Sequence, residues 1–132
     1  MKPRFEAVLN YVDEDDLVLD IGCVQHQAEN EAEQEFWLHG LLRERSSEVV
    51  GIDYLETEVK KLQQRGYDVY CKNAEEFQFD RQFDKIVAGE LIEHLSNPGN
   101  FLESASKHLT ENGWLILTTP NPWAIHRSLT SL

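Results

Sequence analysis

Two positions in the sequence carry chemistry most directly. Gly22 stops the apolar run Leu17-Val18-Leu19-Asp20-Ile21, and Asp53 ends the run Glu48-Val49-Val50-Gly51-Ile52. A glycine directly after a strand has no Cβ, so the backbone there can come close to a ligand. A carboxylate at the end of the next strand can accept hydrogen bonds from two vicinal hydroxyls, as on a ribose. Together the two positions describe an edge that binds a nucleoside-containing cofactor. Each also has a plainer reading. Strands commonly stop at glycine, and a strand-end Asp commonly caps the following helix, so for Asp53 alone the cap and the ribose roles stand level.

A second group lies after the fourth apolar run, Phe83 to Ala88, where Glu93 and His94 follow in sequence. A histidine titrates near neutral pH, which makes the pair candidates to take a proton from a hydroxyl or other protonated acceptor. Their alternative is hydrogen bonding to loop backbone ahead of Pro98. His26 and His39, with the glutamates near them, match no metal-ligand spacing, so no metal site is expected. Cys23 and Cys71 have no metal-type spacing either and read as reduced thiols. The segment Gly22-Cys23-Val24-Gln25-His26-Gln27 keeps only the first glycine of G-x-G-x-x-G, which argues against a nicotinamide-dependent oxidoreductase.

These residues must be positioned by an alternation of strands and helices. Phe5, Val8, Leu9 and Val12 recur at helical spacing after Pro3. The runs 17–21, 48–53, 67–71, 83–88 and 114–119 read as strands. Trp37, Leu38, Leu41 and Leu42 mark a helix over 36–45, with core, lid or partner face as readings of its apolar side. Leu55, Val59 and Leu62 mark another helix that ends at Gly66, and Phe101, Leu102, Ala105 and Leu109 a third, closed by an Asn112-Gly113 turn. Strands that are apolar on both faces belong in a parallel sheet covered by helices. The expected fold is therefore α/β, a doubly wound Rossmann-like sheet of about five parallel strands. Its ligand belongs at the carboxyl ends, where the strand order reverses. Asn121, Trp123 and His126 follow the fifth strand at that edge, as acceptor-site residues or as a tail.

Composition narrows the function classes. The chain has 132 residues, with 24 Asp plus Glu against 12 Lys plus Arg, a formal net charge of −12. Such a chain repels phosphate backbones, so nucleic acid is not an expected partner. No apolar run approaches the roughly 20 residues that span a bilayer. The N-terminus has no apolar signal core, so a cytoplasmic location and no membrane span are expected.

A resemblance enters on the ordered set Val18-Leu19-Asp20-Ile21-Gly22-Cys23, Val50-Gly51-Ile52-Asp53, Asn73-Ala74-Glu75, Phe83 to Val87, Glu90-Leu91-Ile92-Glu93-His94-Leu95 and Gly113 to Asn121. This set resembles the class I S-adenosylmethionine-dependent methyltransferases, in particular the group acting on small molecules, lipids and quinones, over about residues 17 to 122. The resemblance implies S-adenosylmethionine as cofactor. It implies that Asp20, Gly22 and Cys23 form the motif at the methionine end and that Asp53 holds the ribose. Tyr54 would pack on adenine, with Asn73, Ala74 and Glu75 bordering the ring and Glu90 and Leu91 beside the transferring methyl. The activity implied is methyl transfer to a small-molecule or lipid-like acceptor. The alternative is a non-catalytic binding or scaffold domain of the same fold.

The sequence departs from the family pattern in three places. Val24 and His26 stand where the family's first motif has further glycines, so the loop must take another path. The separation of Asp20 from Asp53 exceeds the usual one, through the acidic segment and the Trp37 helix. Only 12 residues follow Pro120, too few for the family's last two strands, so the chain is expected to be a single domain over residues 1–132, as a fragment or a minimal form. An open edge strand would favour self-association into a homodimer.

Overall fold

The computed structural model describes residues 2–24, 37–89 and 91–118. Five strands form one sheet: β1 (Leu17–Ile21), β2 (Glu48–Asp53), β3 (Val69–Cys71), β4 (Phe83–Gly89) and β5 (Leu109–Thr118). Their order is β3-β2-β1-β4-β5, and each neighbouring pair is parallel. The helices are α1 (Pro3–Leu9), α2 (Leu38–Arg45), α3 (Glu56–Gln64) and α4 (Pro98–Lys107). This is the α/β Rossmann-like sheet that the apolar runs predict.

Side-chain alternation assigns the two faces. Leu19, Ile21, Val50, Ile52, Ile86, Ala88, Leu115 and Leu117 pack with Phe101 and Ala105 of α4 and with Phe77. One residue out of step, Val18, Val49, Val87 and Ile116 pack under Phe5 and Val8 of α1 and Leu38, Leu41 and Leu42 of α2. A third cluster joins Cys23, Val24 and Trp37 to Val59 and Leu62 of α3. Both faces are thus covered, which is why the strands read as continuous apolar runs rather than as alternating ones. Trp37, Leu38, Leu41 and Leu42 are all core, so the lid and partner-face readings of that stripe give way to packing.

Local chemistry sets the element ends. Gly66 follows α3 with φ 91°, and the N–H groups of Gly66 and Tyr67 donate to the carbonyls of Gln63 and Leu62. That double closure is a Schellman stop, and it shortens β3 to begin at Val69 rather than at Tyr67. Asn97 caps α4 by accepting from the Asn100 N–H, with Pro98 in the first turn.

The expected Asn112-Gly113 turn is instead an irregular stretch inside β5. Phe83 pairs with Leu109, but Lys85 pairs with Trp114, so the extra residues bulge and the strand starts five positions earlier than its apolar run suggests. Among the described residues no helix is long and apolar enough to cross a membrane. Pro120, Asn121, Trp123 and His126 lie outside the described residues, as does His26.

Candidate functional site

The chain winds outward from β1 through β2 to β3, then restarts at β4 and continues to β5, so strand order reverses between β1 and β4. A cavity of about 510 Å³ opens there, over the carboxyl ends of four adjacent strands. The end of β1 contributes Ile21 with the following Gly22, and the end of β2 contributes Ile52 and Asp53 with the following Tyr54. The segment from the end of β3 contributes Cys71 to Glu75, and the segment after β4 contributes Leu91, His94 and Leu95.

Asp53 sits in the wall with 8% of its surface exposed. Its Oδ1 accepts from the Leu55 N–H at 3.1 Å, and its Oδ2 accepts from the Val24 N–H at 3.1 Å. A carboxylate has about four acceptor positions, so each oxygen keeps one for a ligand hydroxyl. The two sequence readings of Asp53 are therefore not exclusive. The residue turns the backbone into α3, although α3 has Leu55 at its N-cap, and it still borders the cavity. Gly22 adopts φ 81°, where a Cβ is strained, and the N–H groups of Gly22 and Cys23 both donate to the Ile52 carbonyl at 2.9 and 3.1 Å.

Asp20 and Cys23 are placed differently from the expectation for a cofactor motif. Neither lines the cavity. Asp20 pairs in register with Gly51 and Val87, and by alternation it points to the α2 face while Ile21 points to the α4 face. There Asp20 Oδ2 lies 2.8 Å from His39 Nδ1, with both residues buried. His39 Nε2 has no hydrogen-bond partner among the described residues. Sequence reading passed over this pair. The signal was an acid inside an apolar strand and a histidine inside an apolar helix face, two polar groups that each need a buried partner. Cys23 is buried in the third cluster. Burial, and then the Asp20 and Asp53 carboxylates, push its thiol pKa far above the ordinary range.

Beyond β3, Asn73 Oδ1 accepts from the Glu75 N–H at 2.9 Å, which leaves its amide NH₂ as the donor end. Glu75 accepts from the N–H groups of Ser96 and Asn97 at 3.2 and 3.0 Å, so it ties the segment after β3 to the loop before α4. Glu93 and His94 were the candidates for that loop-holding role, but Glu75 fills it. They lie on a short 3₁₀ turn, with the His94 side chain 75% exposed and its Nε2 4.0 Å from Glu93 Oε1. His94 borders the cavity, Glu93 does not, and Glu90 lies outside the described residues. Ile21, Ile52, Cys71, Lys72 and Leu95 are wall residues to which the sequence reading gave no site role. Among the described residues no group of His, Cys, Asp and Glu is arranged to hold a metal.

The lining fits a nucleoside thioether or sulfonium. Ile21, Ile52, Ala74, Leu91 and Leu95 offer apolar surface to a flat base and an aliphatic chain. Asp53 and Asn73 offer an acceptor and a donor at separate points, and the volume lies within the usual range for small-molecule sites of about 300–1,000 Å³.

Comparisons with known proteins point the same way. A family model described as a methyltransferase domain matches residues 2–132. The chain is 25% identical over 108 residues to malonyl-[acyl-carrier protein] O-methyltransferase of Haemophilus influenzae, covering 79% of this chain and 38% of that protein. It is 28% identical over 107 residues to (S)-tetrahydroprotoberberine N-methyltransferase of Eschscholzia californica, covering 76% and 28%. The chain thus spans well under half the length of these curated relatives. Its fold is similar to a TehB-like SAM-dependent methyltransferase of Corynebacterium glutamicum, with a TM-score of 0.68 at 18% identity, covering 89% of this chain and 61% of that one. With the family model matched along nearly the whole sequence, and with the sheet and its switch-point cavity in place, the chain belongs to the class I S-adenosylmethionine-dependent methyltransferase family, whose cofactor is S-adenosylmethionine.

Proposed function

We propose that this domain binds S-adenosylmethionine in the switch-point cavity and transfers its methyl group to a small-molecule or lipid-like acceptor. The observation that carries the reading is the cavity over four strand ends with the Asp53 carboxylate in its wall. The relatives named for O- and N-methylation support a small acceptor. The net charge of −12 supports an acceptor other than nucleic acid.

When bound, the sulfonium supplies an already activated methyl group. The protein's task is then chiefly alignment and exclusion of water, from which much of the rate can come. Asp53 holds the ribose hydroxyls through the acceptor positions its backbone bonds leave over. Gly22 lets the β1 loop approach the ligand. Tyr54 and Ala74 flank the base, and Asn73 hydrogen-bonds its edge. Glu75 acts through the loop, holding the Leu91–Leu95 segment against the cavity. His94 at the rim takes a proton from a hydroxyl acceptor, with Glu93 beside it. Asp20 and Cys23 serve from beneath, as supports of the loop rather than as ligand contacts.

Calorimetry with S-adenosylhomocysteine tests the reading. Binding in the micromolar range is expected, and no heat at millimolar ligand overturns it. The second reading, a binding domain without transfer, is favoured by the exposure of His94. Cofactor binding with no methyl transfer to any acceptor in a broad panel would select it.

A further inference from the structure

The loop after β1 reaches the cavity through its backbone. The side chains of Cys23 and Val24 are each 1% exposed and packed into the core, so the loop's path is what shapes that part of the wall. Three of the bonds that hold the path come from β2: the N–H groups of Gly22 and Cys23 donate to the Ile52 carbonyl, and the Val24 N–H donates to Asp53 Oδ2. A fourth comes from elsewhere. The Trp37 indole Nε1–H donates to the Cys23 carbonyl at 2.8 Å, from a residue 14 positions along the chain.

The indole is a rigid donor. Trp37 is fully buried beside Val59, Leu62 and Val69. The Tyr67 ring meets it edge-on at 5.1 Å, and the Arg43 guanidinium stacks on Tyr67 at 4.3 Å. Trp37 also contacts the His39 ring at 5.4 Å, the His39 and Tyr67 rings themselves lie 5.9 Å apart, and His39 is bound to Asp20. A Cβ at Gly51 would lie 2.8 Å from Cys23 and 2.9 Å from His39, so the loop and α2 are both seated on the same point of β2. A continuous line then runs from the indole to the Cys23 carbonyl, the Val24 N–H and the Asp53 carboxylate.

We propose that Trp37 is a positioning residue of the cofactor site: by holding the Cys23 carbonyl it fixes residues 22–24, and through the Val24 N–H it fixes the orientation in which Asp53 faces the cavity. The inference rests on the reading of that cavity as the S-adenosylmethionine site. It assigns to the apolar Trp37 stripe a role beyond packing. A buried carbonyl that loses its donor is left unpaired, which drives the loop to rearrange.

The test separates the indole N–H from the bulk of the ring. Trp37 is replaced by 3-benzothienylalanine, which keeps the shape of tryptophan with sulfur in place of N–H, and in a second variant by Phe. Val59→Ala is the packing control, since it thins the same cluster and leaves the hydrogen bond alone. The readouts are the Kd for S-adenosylhomocysteine and, without ligand, the exchange rate of the Val24 amide hydrogen. Both N–H deletions are expected to weaken binding about tenfold and to speed Val24 exchange. Val59→Ala is expected to lower Tm and change neither readout. Unchanged binding in the benzothienyl protein overturns the proposal, and so does an equal loss in Val59→Ala. If the unaltered protein binds no S-adenosylhomocysteine, the cofactor reading falls, while the exchange comparison still decides whether Trp37 holds the loop. If only the Phe variant fails to fold, the benzothienyl protein decides.

Discussion

His39 Nδ1 lies 2.8 Å from Asp20 Oδ2, inside the layer between the sheet and α2, and neither residue reaches solvent. Removing one member of such a pair leaves the other buried without its partner, which costs far more than losing an exposed ion pair. His39→Ala is therefore expected to destabilise the fold by about 3–5 kcal/mol. Asp20→Asn combined with His39→Ala should cost less than the two single changes summed, because the second change removes the group that the first had stranded. Urea denaturation of the four proteins measures the coupling. Simple additivity would show that the two groups do not depend on each other.

The same pair marks the boundary of what the residues disclose before folding. β1, β2 and β4 were legible because burial on both faces gives each a stretch of consecutive apolar residues, and Gly66 was legible because its role depends only on local backbone. The start of β5 was not legible, since the bulge opposite Phe83 depends on the pairing with β4 rather than on any residue in β5. Among the site residues, Asp53, Tyr54 and Asn73 to Glu75 all reached the cavity wall, because each ends a strand or lies within a few residues of a strand end, and the strand ends define the cavity. Asp20 did not, because one step along a strand reverses the face. Glu75 was expected beside a ring and also binds loop backbone more than twenty positions away, a contact that arises only from the tertiary fold.

Asp53 offers a test of the ligand edge itself. Asp53→Ala removes acceptors from the Val24 and Leu55 N–H groups, which is expected to cost about 1–3 kcal/mol of stability. It should also abolish measurable S-adenosylhomocysteine binding at micromolar ligand. Asp53→Asn keeps one acceptor oxygen and should fall between the two in both respects. Calorimetry on protein verified as folded by circular dichroism reads the result. An Asp53→Ala protein that binds like the unaltered one would sink the ribose role.

Two glycines make opposite demands, which a matched pair of substitutions exposes. At Gly51 a new methyl would lie 2.8 Å from the Cβ and Sγ of Cys23 and 2.9 Å from His39, all of them buried. Gly51→Ala should destabilise by at least the roughly 1–3 kcal/mol usual for overpacking, and the displaced loop should weaken cofactor binding. At Gly66 nothing lies within 4 Å, but φ is 91°. Gly66→Ala should therefore cost only the strain of a left-handed residue, about 1–2 kcal/mol, with cofactor affinity unchanged. Thermal denaturation alongside calorimetry checks both, and equal effects on affinity would show that the Cys23–His39 seat does not govern the cavity.

The two cysteines should separate cleanly by reactivity and by pH. Cys71 is exposed on the cavity wall, whereas Cys23 is buried, with its thiol pKa raised by desolvation and by two nearby carboxylates. A disulfide-exchange reagent should titrate one thiol in the native protein and both in guanidinium, and bound S-adenosylhomocysteine should slow the native reaction at Cys71. The stability consequence has a definite sign. The folded chain retains a proton on Cys23 that the unfolded chain gives up above a thiol's ordinary pKa of about 8.5, so Cys23 leaves stability unaffected at neutral pH and lowers it as pH rises beyond that value. The loss attributable to this one group approaches at most about 1.4 kcal/mol per pH unit. Urea midpoints measured between pH 8 and 10 should consequently fall more steeply for the unaltered protein than for Cys23→Ala. Parallel slopes, or two native thiols reacting at one rate, would place Cys23 in contact with solvent and remove it from the packed support beneath the cofactor loop.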